Sequence, residues 1–284
     1  PHPDSLLLLR PEGTLPPLFI LHGAGGILTN CDHLVRALPA AMPVFGLQSR
    51  ALVDPQGERP TLSAMVRDYA QLIHERQPSG AIRLAGYSAG GLVAIATARE
   101  LEKMGREVSF IGLLDTAVRL LDPEEERLPI LREHIEGMYR YLAIDLALTE
   151  PLPEDEVGPI MQGIAENVLN LPQAERIQTT LDWLTGKASF PAEKFDAMAR
   201  NYLGTFSIHW DFISQLQLDP VKARMHVWTA VAPGEAAPPL PSQLRALTPH
   251  KITSTAIVGS HYDIMSPPTV TTLARQVARA MSRA

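Results

Sequence analysis

Residues 82–103, "IRLAGYSAGGLVAIATARELEK", pass from an apolar run with strand character straight into an amphipathic helical one, with glycines packed around a serine at the joint. A strand that turns into a helix this tightly belongs to a parallel sheet, because a following parallel strand needs a crossover and a helix supplies it. The same alternation runs along most of the chain. "PPLFILHGAGG" carries a strand over about 17–22 into a glycine turn, and "CDHLVRAL" predicts a helix. "PVFGL" is the next strand, and a helix follows from Leu62 to His74 with Thr61 or Ser63 as N-cap. "AIRLAG" is a strand, residues 89–104 a helix, and "VSFIGLLD" a strand. "RMHVWTAV" and "KITSTAIVG" are later strands, and 268–283 a closing helix. "SLLLL" at 5–9 suits an edge strand; it is too short for a signal-peptide core and has no basic segment before it.

The rhythm breaks between 117 and 215. No convincing strand occurs there; Leu131, Ile135, Met138, Leu142 and Leu146 fall at helical spacing, as do Phe195, Met198, Tyr202, Phe206 and Trp210. "EPLPEDEVGP" and "NLPQAE" punctuate these helices, and "APGEAAPPLPS" at 232–242 is a Pro/Ala-rich surface loop. The expectation is a single domain over 1–284, a mostly parallel sheet flanked by helices, with 117–215 as a helical lid over one end of the sheet. Ligands bind beyond the carboxyl ends of such strands, so a lid there shapes a pocket and sheds water.

Composition narrows the function. A net charge of −6 gives no reason to expect a nucleic-acid or anionic-membrane surface. No run of about 18 apolar residues could span a bilayer. The single cysteine, Cys31, precludes an internal disulfide and fits a buried thiol in a reducing, cytoplasmic setting. No His, Cys or Asp cluster shows metal-ligand spacing. "HGAGG" lacks the spacing and lysine of a phosphate-binding P-loop.

The chemistry gathers on Gly86-Tyr87-Ser88-Ala89-Gly90, a G-x-S-x-G sequence in strand–turn–helix context. Such a turn is so sharp that glycine is required on both sides, and it lifts the serine hydroxyl above the sheet at a helix N-terminus. A serine hydroxyl needs a base. Of nine histidines, His261 in "IVGSHYDIM" lies between the last strand and the last helix, the chain position that accompanies this serine turn. His22 suits the orientation of the neighbouring glycine loop. His2, His33, His74, His134, His209, His226 and His250 have surface or packing roles. For the acid, Asp115 ends "VSFIGLLD" 27 residues past Ser88, whereas Glu235 lies past the following strand, the more usual station; Asp115 is preferred. Asp263 is too near His261 in sequence to support its ring. An oxyanion needs backbone N–H donors, expected from Ala89 and from Ala24 or Gly25 in "HGAGG".

With these residues placed, the series "PLFILHGAGG", "PVFGLQSR", "LAGYSAGGLVAIATARELEKMGREVSFIGLLDT" and "GSHYDIMSPPTV" resembles the type I thioesterase domains of nonribosomal peptide synthetases and polyketide synthases. The likeness covers about 20–116 and 224–283 and leaves the insertion aside. It implies the α/β-hydrolase fold, a Ser88–His261–Asp115 triad, and oxyanion donors at Ala24 and Ala89. It also implies release of an acyl or peptidyl chain, by hydrolysis or macrocyclisation, in antibiotic and secondary metabolism. No cofactor of its own is implied; the substrate arrives on the phosphopantetheine arm of an acyl or peptidyl carrier protein domain. Many relatives have proline where this chain has Gly23, which leaves Ala24 and Gly25 both open. A start at "PHPDS" without methionine leads to the expectation of a domain cut from a synthase, with the carrier upstream in the same polypeptide. The rival readings are a discrete editing thioesterase or general serine esterase, and a ligand-binding or carrier-docking module without turnover.

Overall fold

The computed structural model describes residues 3–28, 31–53, 61–116, 118, 171, 175, 204–205, 208–209, 212, 216–261 and 263–283. Most of the expected lid, 117–215, therefore lies outside the described residues, as do His2 and His134.

Seven strands form one sheet: β1 Leu6–Arg10, β2 Leu18–Leu21, β3 Val44–Leu47, β4 Ile82–Tyr87, β5 Val108–Leu114, β6 Arg224–Val231 and β7 Thr253–Val258. Their order is β1-β3-β2-β4-β5-β6-β7. Strand β1 runs antiparallel at the edge beside β3, and all other pairs are parallel. The described helices are α1 Asp32–Ala37, α2 Arg50–Val53, α3 Leu62–Arg76, α4 Gly90–Lys103, α5 Ser242–Ala246 and α6 Thr269–Met281. Every element expected from the sequence outside 117–215 is present, with ends shifted by a few residues. Of the two proposed N-caps of α3 it is Thr61 that accepts the Ala64 N–H, at 3.2 Å.

Central strands covered on both faces read as unbroken apolar runs, and Leu18, Phe19, Ile20 and Leu21 are all fully buried. Alternate side chains then divide between two cores. Phe19, Leu21, Leu84, Leu113 and Val227 pack with Tyr69, Ile73, Ile95 and Leu101 of α3 and α4. Leu18, Ile20, Phe110, Leu114 and Trp228 pack with Leu34 of α1 and Leu273 and Val277 of α6. The period of two along each strand is what sends neighbours to opposite layers.

The register positions the chemistry. Tyr87 pairs with Leu114, so β4 and β5 end level with one another, while β6, paired to Leu114 at Trp228, runs on to Val231. The first residues beyond β4 and β5, Ser88 and Asp115, consequently fall on one line across these two strands. Beyond β5 that line meets the insertion, after which the chain returns as β6, the neighbour of β5.

Candidate active site

Among the described residues two other than glycine have left-handed backbone, Ser88 with φ 55° and Asp115 with φ 45°. They directly follow β4 and β5. Each still donates its N–H to the adjacent strand: Ser88 to the Leu114 carbonyl at 2.9 Å, Asp115 to the Trp228 carbonyl at 2.7 Å. The ladder thus holds both residues in place while φ turns the chain sharply off the sheet. A side chain in this conformation costs of order 1 kcal/mol or more and persists only where the surroundings impose it. Both residues bear functional groups.

The glycines beside Ser88 are required by contact. A Cβ on Gly86 would lie 2.1 Å from the Gly90 carbonyl carbon and oxygen, and one on Gly90 would lie 2.4 Å from the His22 carbonyl oxygen. Strand β4, the start of α4 and the end of β2 meet here backbone to backbone. Gly91 is confined too, by the Thr116 hydroxyl 1.9 Å from where its Cβ would stand. Ser88 itself is 5% exposed, at the start of the turn into α4.

Asp115 and His261 come together. His261 Nδ1–H donates to Asp115 Oδ2 at 2.6 Å, and the other carboxylate oxygen, Oδ1, accepts the Ala230 N–H at 2.7 Å. The carboxylate is fixed by β6 on one side and holds the ring on the other. This fixes the neutral ring's proton on Nδ1 and leaves the Nε2 lone pair available as a base.

The loop bearing His261 is ordered by its own side chains. Gly259, φ 144°, donates to the Val231 carbonyl at 3.0 Å. The Ser260 N–H donates to the Asp263 carboxylate at 2.9 Å, so Asp263 shapes the loop. Glu235 is exposed in the Pro/Ala loop, where its carboxylate accepts the Ala232 N–H at 3.3 Å. It shares with His261 and Asp115 the lining of a 780 Å³ cavity, whose apolar wall includes Pro238, Pro239 and Leu240.

Tyr87, the first free position of G-x-S-x-G, escaped the sequence analysis. Its ring stacks on His261 with centroids 4.7 Å apart and planes inclined by 20°, and its hydroxyl donates to the His261 carbonyl at 2.6 Å. The pattern leaves that position open, so only its aromatic character hinted at such a role.

Ala24 and Ala89 pack in one small apolar cluster with Leu92, against Leu216 and Leu218. Neither backbone N–H meets a hydrogen-bond acceptor among the described residues. His22, buried beside them, donates from Nδ1 to the Gly23 carbonyl at 2.6 Å and accepts the Tyr69 hydroxyl at Nε2 at 2.7 Å. Burial pushes its pKa down to about 4, so the ring is neutral and serves the glycine loop, as expected. His209, assigned above to surface or packing, is buried and hydrogen-bonded on both nitrogens. Among the other histidines, His33 is exposed, while His74, His226 and His250 are half-buried. Cys31 is a buried thiol outside any disulfide, and burial raises its pKa to about 12, which suits packing. Among the described residues no group of His, Cys, Asp or Glu could hold a metal ion, and no helix is long and apolar enough to cross a membrane.

A mostly parallel sheet with an elbow serine at one strand end and an imidazole–carboxylate pair at its neighbours is the α/β-hydrolase arrangement. Within that class the thioesterase-domain model matches residues 16–281, and the chain belongs to that family. Malpinin synthetase of Mortierella alpina is 40% identical over 125 residues, 43% of this chain and 2% of its own length. The dimodular nonribosomal peptide synthase of Bacillus subtilis (strain 168) is 39% identical over 112 residues, 39% of this chain and 5% of its own. The chain thus spans a small fraction of the curated relatives it matches. Among solved structures, the NocB thioesterase domain from the nocardicin cluster superimposes with a TM-score of 0.63 at 17% identity. That match covers 98% of this chain and 99% of the other, and it supports the fold.

Proposed function

We propose that the chain is the chain-releasing thioesterase of a carrier-protein-dependent synthase, with Ser88 as nucleophile, His261 as general base and acid, and Asp115 as the group that orients and charges His261. The observation that carries this reading is the placement of Ser88 and Asp115 at the level ends of adjoining β4 and β5, with His261 bonded to Asp115 at 2.6 Å. Serine alone is a poor nucleophile, and this geometry supplies both the tautomer and the counter-charge that its base requires.

Ser88 Oγ attacks the carbonyl carbon of an acyl or peptidyl thioester while His261 Nε2 takes the serine proton. The tetrahedral intermediate puts its negative oxygen against the Ala24 and Ala89 N–H groups. The C–S bond then breaks, and His261 returns the proton to the departing phosphopantetheine sulfur, leaving an ester on Ser88. Water, or a hydroxyl or amine of the same chain, next attacks the ester carbonyl and gives its proton to Nε2. Collapse of the second intermediate breaks the ester bond, and the proton passes back to Ser88 Oγ. The product is an acid or a ring, according to the second nucleophile.

The nonribosomal peptide synthetase relatives support a peptidyl or acyl carrier domain of the same polypeptide as the donor; a cytoplasmic setting is part of the same proposal. The whole chain acts as one domain in this reading, and 117–215 serves as its lid. That role is supported by the buried Thr205, Ile208 and His209, with Thr205 against Gly26 and His209 on the Ala24 carbonyl. Such a cover excludes the water that would compete with an internal nucleophile.

Synthetic acyl thioesters and a fluorophosphonate probe test the reading. Ser88→Ala is expected to lower acyl transfer by about 10,000-fold or more and to abolish labelling. Equal labelling of wild type and Ser88→Ala overturns it.

A further inference from the structure

The loop that follows β2 is held by two histidines, one on each side of Ala24. His22 Nδ1–H donates to the Gly23 carbonyl, which also accepts the Gly26 N–H at 3.0 Å. His209 Nδ1–H donates to the very next carbonyl, that of Ala24, at 2.8 Å. The two rings stack with centroids 4.6 Å apart and planes inclined by 23°. His209 Nε2 accepts the Ser49 hydroxyl at 2.9 Å, and the Ser49 N–H donates to the Gly26 carbonyl at 2.9 Å. Each Nδ1 faces a carbonyl, which can only accept, and so carries the proton, while each Nε2 faces a hydroxyl; the Tyr69 hydroxyl lies between His22 Nε2 and the Gln48 carbonyl.

A trans peptide is planar, with its carbonyl and N–H directed oppositely. Holding the Gly23 carbonyl fixes the plane that carries the Ala24 N–H. Holding the Ala24 carbonyl fixes the following plane, so the Ala24 backbone cannot pivot between them. His22 sits at the end of β2, whereas His209 arrives from the far end of the insertion. Nearby, Thr205 closes over Gly26, its methyl 2.6 Å from where a Cβ would stand, and the left-handed φ of 80° keeps that position a glycine.

We propose that His209 is a positioning residue for the oxyanion site: its hydrogen bond to the Ala24 carbonyl sets the direction of the Ala24 N–H. The inference rests on the thioesterase reading above, since it assigns the N–H its catalytic use. His209 touches no reacting atom. Both nitrogens are satisfied by neutral partners and burial keeps the ring uncharged, which suits a fixed support rather than a proton carrier.

Two substitutions in the full 284-residue chain separate the bond from simple packing. In His209→Asn the side-chain amide NH2 stands near the Nδ1 position and keeps the donor to Ala24. In His209→Gln the amide reaches the Nε2 position and leaves the Ala24 carbonyl unbonded. Turnover of an acyl N-acetylcysteamine thioester, the fluorophosphonate labelling rate and the melting temperature are measured for both, beside Ser88→Ala. Loss of one oxyanion donor costs about 100- to 1000-fold, so a misdirected one is expected to cost about 10- to 100-fold in kcat and labelling rate, with KM nearly unchanged. His209→Asn is expected to recover most of that loss. Wild-type kcat in His209→Gln, or a folded His209→Asn with kcat reduced by about 10-fold or more, overturns the proposal. If His209→Gln does not fold, His209→Asn decides alone by the same criterion: near wild-type kcat supports the bond, even with a lowered melting temperature. These outcomes leave the nucleophile assignment intact, whereas undiminished turnover in Ser88→Ala removes that assignment and this inference with it.

Discussion

His261 and His22 both stand just past the carboxyl end of a sheet strand, and their surroundings are opposite. His261 is partly exposed, with 16% of its side chain accessible, and faces a carboxylate across 2.6 Å. His22 is buried, stacked on a second imidazole, and faces a carbonyl and a phenol hydroxyl. A carboxylate rewards protonation of the ring; a dry site with neutral partners penalises it. One end of the sheet therefore sets one imidazole against a carboxylate and others against neutral partners. Their common position shows that the end of a strand supplies the location, while the partners decide whether a proton can move.

The sharpest way to break this comparison is to remove the charge from His261's partner while keeping its shape. In Asp115→Asn the amide still accepts the Ala230 N–H at its oxygen but turns an NH2 toward Nδ1, which forces the other tautomer and blocks Nε2 as a base. A drop of about 10,000-fold in acyl transfer is expected, by analogy with the loss of the orienting aspartate in serine proteases. Glu235→Gln, exposed in its loop, is expected to stay within about 3-fold of wild type, as surface changes away from reacting groups do. Steady-state kinetics on a synthetic thioester ranks the two; the reverse order transfers the acid's role to Glu235.

A second measurement addresses the neutral side. Burial lowers His22 from an ordinary 6.5 to about 4, and burial followed by the neighbouring His22 lowers His209 as well. On unfolding both rings regain ordinary basicity, so between those values the unfolded chain binds more protons than the folded one. Stability contributed by this depression is fully present above about pH 6.5 and is lost as pH falls toward 4. The slope is at most about 1.4 kcal/mol per pH unit for each ring. Urea unfolding from pH 7 to 4.5 should show His22→Gln with a shallower decline than wild type. Equal slopes would mean that the buried ring is already charged in the folded chain.

How much of this was legible in the sequence follows from the range of the forces involved. The sheet was readable because covered strands need continuous apolar runs and crossovers need amphipathic helices. The Ser88 turn was readable because a backbone collision at 2.1 Å admits only glycine. Asp115 was chosen over Glu235 because an apolar strand ends on it, and its contact with His261 supports that choice. Tyr87 and His209 were hidden because their partners lie 174 and 185 residues away. No local spacing carries a contact of that range. For His209 the one available signal was a histidine among apolar helical positions, which fits ordinary packing equally well. Which N–H of the glycine loop faces an oxyanion was unreadable for a related reason: peptide planes are set by tertiary hydrogen bonds.

The smallest expected effect concerns Tyr87, the element of the reactive side that most resembles the neutral one. Like His209, it holds a carbonyl, that of His261, and stacks on an imidazole. Unlike His209, it holds the backbone of His261, the residue proposed to move protons. Tyr87→Phe keeps the stack and removes only the hydroxyl, a change worth about 1 kcal/mol when the carbonyl can turn to water. The expected result is a fall in kcat of about 3- to 10-fold, because His261 gains freedom without losing Asp115, with KM and the acid limb of the stability curve unchanged. Tyr87→Ala, which also removes the ring, should fall further. If Tyr87→Phe is wild type in kcat but destabilised, the hydroxyl serves the fold alone, and Asp115 by itself suffices to place the imidazole.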